Sequence, residues 1–276
     1  MTHATEPLAL AGGPGTTLRW AVADGWTVLL RGLTHWVREP GVLLLGLFFP
    51  VLMMLMFGYL LGGAMAVPSG SYFEFLMPGM FALAMVFGLE ATTIGVATDA
   101  ARGITDRFRS MPMAPSAVVV GRSAADMLTS AAGLAVLVAG GLLVGWRTHG
   151  TPAEFLAAIG LLLLLRFAFL WLGVFLGLLI GKPENAMAVQ ILVWPFAFLS
   201  NTFASPDTMP GWIGAIADWN PMSATAAACR DLFGNPGWGG GSWAAEHAIV
   251  LAIAWPVLLV AVFFPLSVRR YQRLRK

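Results

Sequence analysis

Charged side chains inside long apolar runs are the residues whose chemistry first needs an explanation. Glu90 and Arg166 each lie within such a run of this 276-residue sequence. Carrying an arginine or an acid into lipid costs about 2.5–3.5 kcal/mol on insertion scales, so both groups must pair, bond to buried polar groups or line a wet path. A direct pair would have to bridge a difference in depth on the order of 10 Å at the helical rise. Structural and path-lining roles therefore both stay open for Glu90 and Arg166.

Motifs for covalent or nucleotide chemistry are missing from the sequence. A P-loop needs Gly-x-x-x-x-Gly-Lys-Ser/Thr, and neither Lys182 nor Lys276 stands in that pattern. His-Glu-x-x-His, Cys-x-x-Cys and Gly-x-Ser-x-Gly do not occur, and Cys229 is the single cysteine. We therefore predict no catalytic site, no metal site and no cofactor on this chain, and no nucleic-acid partner.

The densest group of charges lies at 99–122, where acidic and basic residues are mixed. Ile104 and Phe108 recur there at helical spacing, which predicts a short amphipathic helix that Pro112 and Pro115 end. Two roles fit this segment. Its arginines can anchor a loop at anionic headgroups, or the apolar Phe108 can dock into a partner protein.

Composition predicts the elements that position these residues. The chain is 58% hydrophobic and only 11% charged, with a mean hydropathy of +0.78, whereas soluble domains carry roughly 25% charged residues. This predicts an all-α polytopic membrane protein. Runs of about 20 apolar residues, the length of one span, predict six transmembrane helices. They lie near 41–62, 73–98, 124–145, 155–181, 186–204 and 244–266.

The placement of basic residues predicts the orientation of these spans. Nearly all of the 16 arginines and lysines fall in segments on one side, whereas Arg147 and Arg230 fall on the other and Arg166 lies within a span. Because short basic loops stay in the cytoplasm, both termini are predicted to be cytoplasmic. The strong preference for arginine over lysine suggests a bacterial, high-GC source and thus a bacterial cytoplasmic membrane.

Residues 18–38 predict an amphipathic helix ahead of the first span. Arg31 and Arg38 lie on its polar face, and Trp26 and Trp36 lie on the apolar face. We favour a helix in the cytoplasmic interface, in contact with membrane lipid, over one packed only on protein. The predicted domains are a flexible segment at 1–15, one membrane domain at 16–270 and a basic cytoplasmic tail at 271–276.

The outer segment at 205–243 is long for a loop. Asn220 as N-cap, Pro221 at the first helical position and Gly234 as a stop signal predict a helix at 221–233. We favour a re-entrant, gate-like helix, which needs protein around its ends, over a surface loop held by tryptophans. The tryptophans expected near headgroup level are Trp212, Trp219, Trp238 and Trp243.

The fourth span carries three glycines at four-residue spacing, Gly173, Gly177 and Gly181. A stripe of small residues lets two helices approach closely. We favour packing within the chain over a contact between subunits.

Two stretches resemble a known family of membrane proteins. One of them is similar to the cytoplasmic loop of ABC-2 type exporter permeases, especially the daunorubicin-resistance subfamily, and reads Arg102-Gly103-Ile104-Thr105-Asp106-Arg107-Phe108-Arg109-Ser110-Met111-Pro112. Arg122 matches an arginine that follows this loop in the family. The other stretch resembles the family's segment before the last span, and comprises Met209-Pro210-Gly211-Trp212 and Asn220-Pro221 followed by Arg230. The resemblance covers roughly 15–270, although many relatives carry an acidic residue where this chain has Arg102.

The resemblance implies a half-transporter. Two permeases, as two copies or as related chains, would form the path, and two separate ATPase subunits would carry ATP and Mg²⁺. The implied ATPase-coupling residues are Arg102, Gly103, Asp106, Arg107, Phe108, Arg109 and Pro112. The implied outer gate comprises Trp212, Asn220, Pro221 and Arg230.

These observations predict the permease subunit of an ATP-driven exporter for an amphipathic drug-like or lipid-like compound. An ATP-independent transporter or channel is the alternative, which would need inverted repeats or several paired charges within the membrane. A membrane enzyme would need clustered His, Asp or Glu at one interface, and the sequence shows no such cluster.

Overall fold

A computed structural model describes residues 40–62, 71–102, 115–239 and 241–273, and every regular element in these ranges is helical. The α-helices are α1 (Pro40–Met56), α2 (Tyr72–Ala101), α3 (Pro115–Leu143), α4 (Pro152–Ile180), α5 (Met187–Phe198), α6 (Gly211–Asp218), α7 (Pro221–Phe233), α8 (Trp243–Glu246) and α9 (Ala248–Arg273). A π-helical turn, Phe57–Leu61, extends α1, and short 3₁₀ turns lie at Pro183–Ala186 and Pro206–Thr208.

Four of the described helices, α2, α3, α4 and α9, are long and apolar enough to cross a membrane. They coincide in position with four of the predicted spans, although α3 begins earlier and α9 ends later than predicted, and α1 with its π-helical turn covers the predicted span at 41–62. The all-helical, polytopic architecture is therefore confirmed, and the count of six spans stays a prediction.

The segment between α2 and α3 is shorter than the predicted loop at 99–122. The helix α2 continues to Ala101, and α3 begins at Pro115 rather than near 124. Pro115 starts a helix because its fixed φ suits the first turn, where its missing N–H leaves no bond unmade. Arg122 thus belongs to α3. Pro115 was expected to end the preceding helix, and it instead begins α3.

The helix α5 is shorter than the predicted span at 186–204. It contains 12 residues, which reach about 18 Å at 1.5 Å per residue, well short of the roughly 30 Å of a bilayer core. The helix stops at Phe198, and the backbone from Leu199 onward turns away from helical geometry. Hydropathy averaged over a span-length window did not reveal this break, although a short polar run, Ser200-Asn201-Thr202, follows Leu199.

The centre of the fold is the close pair α2 and α4. A side chain added at Gly173 would meet the Leu89 carbonyl oxygen at 2.9 Å, and one added at Gly177 would meet the Val96 Cβ at 2.6 Å. Only glycine lets the two backbones approach this closely. The stripe of glycines on α4 therefore packs within the chain, as predicted, whereas Gly181 ends α4 with a positive φ of 66°.

The bundle has two distinct ends. The arginine-rich end, defined by Arg102, Arg122, Arg269 and Arg270, is where α2 ends and α3 begins. The Ser267 hydroxyl of α9 donates to the Trp171 carbonyl of α4 near this end, at 3.3 Å. The opposite end holds the starts of α2 and α4 together with α7.

Candidate functional site

The predicted ATPase-coupling residues lie at the arginine-rich end. Arg102 caps α2 and is exposed, and its backbone N–H donates to the Thr98 carbonyl at 3.0 Å. Gly103, Asp106, Arg107, Phe108, Arg109 and Pro112 lie outside the described residues. The same is true of the predicted interfacial helix with Trp26, Arg31, Trp36 and Arg38.

The two stems of the 102–112 segment are joined by an ion pair. Arg122, two turns into α3, pairs through Nη1 with the Asp99 carboxylate in the last turn of α2. Gly95, one turn before Asp99, leaves the space in which the Arg122 guanidinium lies, and a side chain there would collide with Nη2. The end of α2 and the first turns of α3 are therefore held together. Sequence reasoning selected Arg122 but not its partner.

Arg166 lies at the middle of α4 and is only 2% exposed. Its Nε donates to the Ser130 hydroxyl of α3 at 2.7 Å, and its Nη2 donates to the Thr92 hydroxyl of α2, also at 2.7 Å. Thr92 in turn donates to the Asp126 carboxylate at 3.0 Å. One arginine thereby connects three spanning helices and an acid within the membrane.

A direct Glu90–Arg166 pair is not formed. Glu90 is half-buried and makes no bond to Arg166, whose acceptors are Thr92 and Ser130. The acid near Arg166 is instead Asp126, to which it is linked through the Thr92 hydroxyl. Asp126 and Ser130 stand four residues apart on α3, and this spacing was the sequence signal for a polar face turned inward.

The outer helix α7 forms where the sequence predicted it. The Asn220 side chain accepts from the Met222 N–H at 2.8 Å, Pro221 occupies the first position and Gly234 ends the helix with a φ of 65°. Nine of its 13 residues are buried. The helix is thus surrounded by protein, which is the condition that the re-entrant interpretation required.

Side chains at the start of α7 also form hydrogen bonds with backbone groups at and just beyond the end of α5. The Asn220 amide donates to the carbonyls of Phe196 and Leu199, at 2.9 and 2.7 Å. The Ser223 hydroxyl accepts from the Asn201 N–H at 2.9 Å. Non-helical backbone at membrane depth is tolerated only with such internal partners, so α7 makes the interruption of α5 possible.

Arg230 is buried inside the outer part of the fold, although it was predicted at an outer gate. It is 1% exposed, and its guanidinium lies 4.3 Å from the centre of the Phe75 ring. Nε donates to the Phe75 carbonyl at 3.0 Å, and the other nitrogens reach the Asn201 side chain and the carbonyls of Asn201 and Thr202. Burial lowers the pKa of Arg230 to about 10, so the side chain remains charged at neutral pH.

A cavity of about 120 Å³ opens beside Arg230. Carboxylates contribute much of its polar lining, namely Asp207, Asp218, Asp231 and Glu246. Burial raises the pKa of the Asp231 carboxyl, and the neighbouring Arg230 opposes this effect. No group of three metal-binding side chains is present in the part of the chain that the structure describes.

The tryptophans of this outer region differ in how far they are exposed. Trp212, Trp219 and Trp243 are at least half exposed, and the rings of Trp219 and Trp243 stack at 5.8 Å. Trp238 instead lies against the Phe75 ring and donates to the Asn201 carbonyl at 2.9 Å. Three of the four predicted anchors are therefore free to reach headgroups, and the fourth belongs to the packed interior.

The loop between α3 and α4 holds the far end of α7, which sequence reasoning missed. Trp146 is fully buried and donates to the Asn235 side chain at 2.8 Å, and the His149 N–H donates to the Phe233 carbonyl at 2.7 Å. The only sequence signal was a tryptophan in a short polar loop, and this also fits a headgroup anchor.

Comparison of the sequence with known proteins finds a family and several relatives. A family model described as ABC-2 type transporter matches residues 24–233. A relative from Streptomyces coeruleorubidus, the daunorubicin resistance ABC transporter permease protein DrrB1, is 34% identical over 264 residues, which cover 95% of this chain and 91% of the relative. Putative transport permeases ycf38 from Porphyra purpurea and Pyropia yezoensis are each 24% identical over 206 residues, covering 73% of this chain and 70% of the relatives.

The family match spans most of the chain, and the resemblance predicted from its two motifs is confirmed at this level. With the apolar spans and the polytopic helical fold, it shows that this chain belongs to the ABC-2 type transporter family and is a membrane transport permease.

Proposed function

We propose that the chain is the permease subunit of an ATP-binding-cassette exporter that moves an amphipathic, drug-like or lipid-like compound out of the cytoplasm. The observation that carries this proposal is the 34% identity, over 95% of the chain, to a permease named for daunorubicin resistance. Similarity of that extent includes both the 102–112 segment and the outer helix, so it applies to the whole transport unit rather than to one motif.

The geometry of the arginine-rich end supports docking of an ATPase there. The Asp99–Arg122 pair links α2 and α3 next to the 102–112 segment, so a force applied to that segment reaches the bundle at the junction of these two helices. We propose that Arg107, Phe108 and Arg109 enter a cleft of the ATPase subunit. The arginine-rich end then faces the cytoplasm, where ATP is available.

The lining of the bundle supports an amphipathic cargo. Large apolar side chains cover the exposed faces of the helices, and the polar network at Arg166 is enclosed between α2, α3 and α4. Such surfaces suit a compound that dissolves partly in lipid better than a hydrated ion. We propose that Trp212, Asn220, Pro221 and Arg230 frame the outer exit.

The proposed complex contains two permeases and two ATPase subunits. ATP and Mg²⁺ bind on the ATPase subunits, which supply the nucleotide chemistry that the motifs of this sequence do not provide. Membrane lipid contacts the exposed tryptophans and the predicted interfacial helix.

Coexpression with a P-loop ATPase from a neighbouring reading frame tests the proposal. The wild-type permease should copurify with that ATPase and should drive ATP-dependent export in membrane vesicles. The double substitution Arg107→Glu and Arg109→Glu should abolish copurification and export, because it reverses the charge of the docking surface while the permease still inserts.

The matched control is Arg273→Glu with Arg275→Glu, which makes the same change in charge in the basic tail predicted on the same side. This control should retain copurification and export. Normal ATPase binding by the Arg107 and Arg109 variant would contradict the docking role, and failure of every neighbouring ATPase to bind the wild type would overturn the proposed function.

A further inference from the structure

A stripe of polar and small residues runs along the interface between α2 and α3. On α2 it contains Gly88, Thr92, Gly95 and Asp99, which recur every three or four residues and so share one helix face. On α3 it contains Arg122, Asp126 and Ser130. These seven residues are named the polar seam.

The polar seam is continuous from the arginine-rich end to mid-membrane. Asp99 pairs with Arg122, and Gly95 makes room for that arginine. One to two turns deeper, Thr92 donates to Asp126 at 3.0 Å. At its deep end, which is remote from the arginine-rich end, the seam contacts Arg166.

The contacts of Arg166 complete the deep end of the seam. Ser130 accepts from Arg166 Nε at 2.7 Å, and a side chain at Gly88 would meet the same Nε at 2.5 Å. Arg166 Nη1 is fully buried and has no hydrogen-bond partner among the residues that the structure describes. The deep end of the seam therefore holds one unused donor beside the half-buried carboxylate of Asp126.

The helix α3 depends on these polar contacts more than its neighbours do. Only 17% of its spanning window is buried, against 61% for α2 and 56% for α4. Among the α3 side chains whose burial the structure describes, Leu134 and Leu137 are buried in the half remote from the arginine-rich end, whereas Met127 in the other half is partly buried. Apolar surface gains little by leaving lipid for another helix, so the polar seam contributes much of what holds the described part of that other half in place.

We infer that the polar seam is the element that carries movement of the 102–112 segment to Arg166, with α3 as the helix that moves. The inference rests on the proposed function. Asp99, Arg122, Thr92 and Asp126 are positioning residues for transport in this scheme. When the ATPase displaces the 102–112 segment, α3 shifts along α2 and the Asp126 carboxylate leaves the Thr92 hydroxyl for Arg166 Nη1.

The chemistry of the contacts suits such an exchange. Hydroxyl and carboxylate side chains can change partners by rotation about single bonds, whereas the glycine contacts between α2 and α4 involve backbone atoms that cannot separate without unpacking. The pair α2 and α4 is thus the fixed frame against which α3 moves. A charge-swap experiment and a distance measurement test the two parts of this scheme.

The charge-swap experiment uses the permease assembled with its ATPase in proteoliposomes. Asp99→Arg and Arg122→Asp should each lower cargo transported per ATP hydrolysed by at least about fivefold, as expected when one partner of a coupled pair is reversed. The double variant should recover to within about twofold of the wild type, while ATPase copurification stays unchanged throughout. Single variants with normal transport per ATP, or a double variant no better than the singles, would overturn the role of this pair.

The distance measurement leaves the seam intact. Spin labels on Ala101→Cys and Leu128→Cys, both exposed, report the position of α3 relative to α2 in a Cys229→Ser background. Trapping the ATPase with ATP and vanadate should shift this distance. The control pair, Ala101→Cys with Leu179→Cys, reports α4 relative to α2 and should stay constant.

The outcomes separate this inference from the proposed function. A wild-type permease that binds no ATPase would contradict the proposed function itself. A wild-type transporter that exports its cargo, while the 101–128 distance is the same with and without trapped nucleotide, would overturn the seam alone. Because the labelled variants keep every seam residue, poor folding of the charge-swap variants does not remove this test.

Discussion

Two arginines are buried in the part of the chain that the structure describes, and they are held in different ways. Arg230 donates mainly to backbone carbonyls of Phe75, Asn201 and Thr202, which are fixed by the fold. Arg166 donates to the side-chain hydroxyls of Thr92 and Ser130, and these rotate. Fixed acceptors suit a permanent link between segments, whereas rotatable acceptors with one unused donor suit a contact that changes during transport. Arg230 is therefore interpreted as a fixed part of the outer region, and Arg166 as a contact that changes during transport.

The largest expected effect comes from Arg230. Arg230→Leu removes the link between α7, the start of α2 and the segment after α5, and leaves buried carbonyls unpaired. We expect a loss of about 3–5 kcal/mol of stability, measured by thermal unfolding in detergent and by the yield of inserted protein. Arg147→Leu, at an exposed arginine of the same end, is the control and should change little. A stable Arg230→Leu protein that fails only in export would favour the gate interpretation.

Removal of Arg166 should affect transport more than folding. Arg166→Leu leaves Asp126 without its balancing charge, and we expect about 1–3 kcal/mol of destabilisation because Thr92 and Ser130 can find new partners. Export should fall at least about tenfold at an unchanged protein level.

An additional substitution separates the two effects of removing Arg166. Adding Asp126→Leu removes the stranded acid and should return the stability towards the wild-type value without restoring export. Unchanged export by Arg166→Leu would show that Arg166 has no role in transport. The proposed difference in role between Arg166 and Arg230 would then be wrong.

Packing of the fixed frame gives a smaller and purely structural prediction. Gly177→Ala places a methyl group against Val96 Cβ and the Thr93 carbonyl, and should cost about 1–3 kcal/mol. Gly160→Ala is the matched control in the same helix, because no atom lies within 4 Å of its added Cβ. Equal stability of the two variants, measured by thermal unfolding, would mean that α2 and α4 are not closely packed in the membrane.

The smallest expected effect concerns the cap of the outer helix. Asn220→Ala removes the bond to the Met222 N–H and the two bonds to carbonyls at the end of α5, and should cost about 1–2 kcal/mol. Asn220→Asp keeps the cap but not the two donors, so it should lie between alanine and the wild type. The ranking is measured by thermal unfolding, and an aspartate variant as stable as the wild type would show that the bonds to α5 contribute nothing.

Local signals in the sequence were sufficient for several elements. The cap Asn220, the following Pro221 and the stop at Gly234 predicted α7 at its observed bounds, because these preferences act within one helical turn. The stripe of glycines on α4 predicted close packing for the same kind of reason. The interruption of α5 was not predictable in this way, since hydropathy averages over a window longer than the break.

The partners of the charged residues could not be read from the chain. Asp99 and Arg122 are close because α2 and α3 run antiparallel at a particular register, and Arg166 finds Asp126 through Thr92 for the same reason. Arg230 was expected on the outer side, in a predicted helix and an implied gate, and the fold buries it. Sequence spacing sets which residues share a helix face, and it does not set which faces meet.

The sequence by itself determined that this chain is a helical membrane protein, because the cost of moving charge and open backbone through lipid acts on each segment separately. It also carried the motifs that indicate the ABC-2 family. Only the tertiary structure decided that Arg230 is held mainly by backbone carbonyls and Arg166 by side-chain hydroxyls. These partners depend on the register at which the helices pack against one another. The sequence of a single segment does not encode that register.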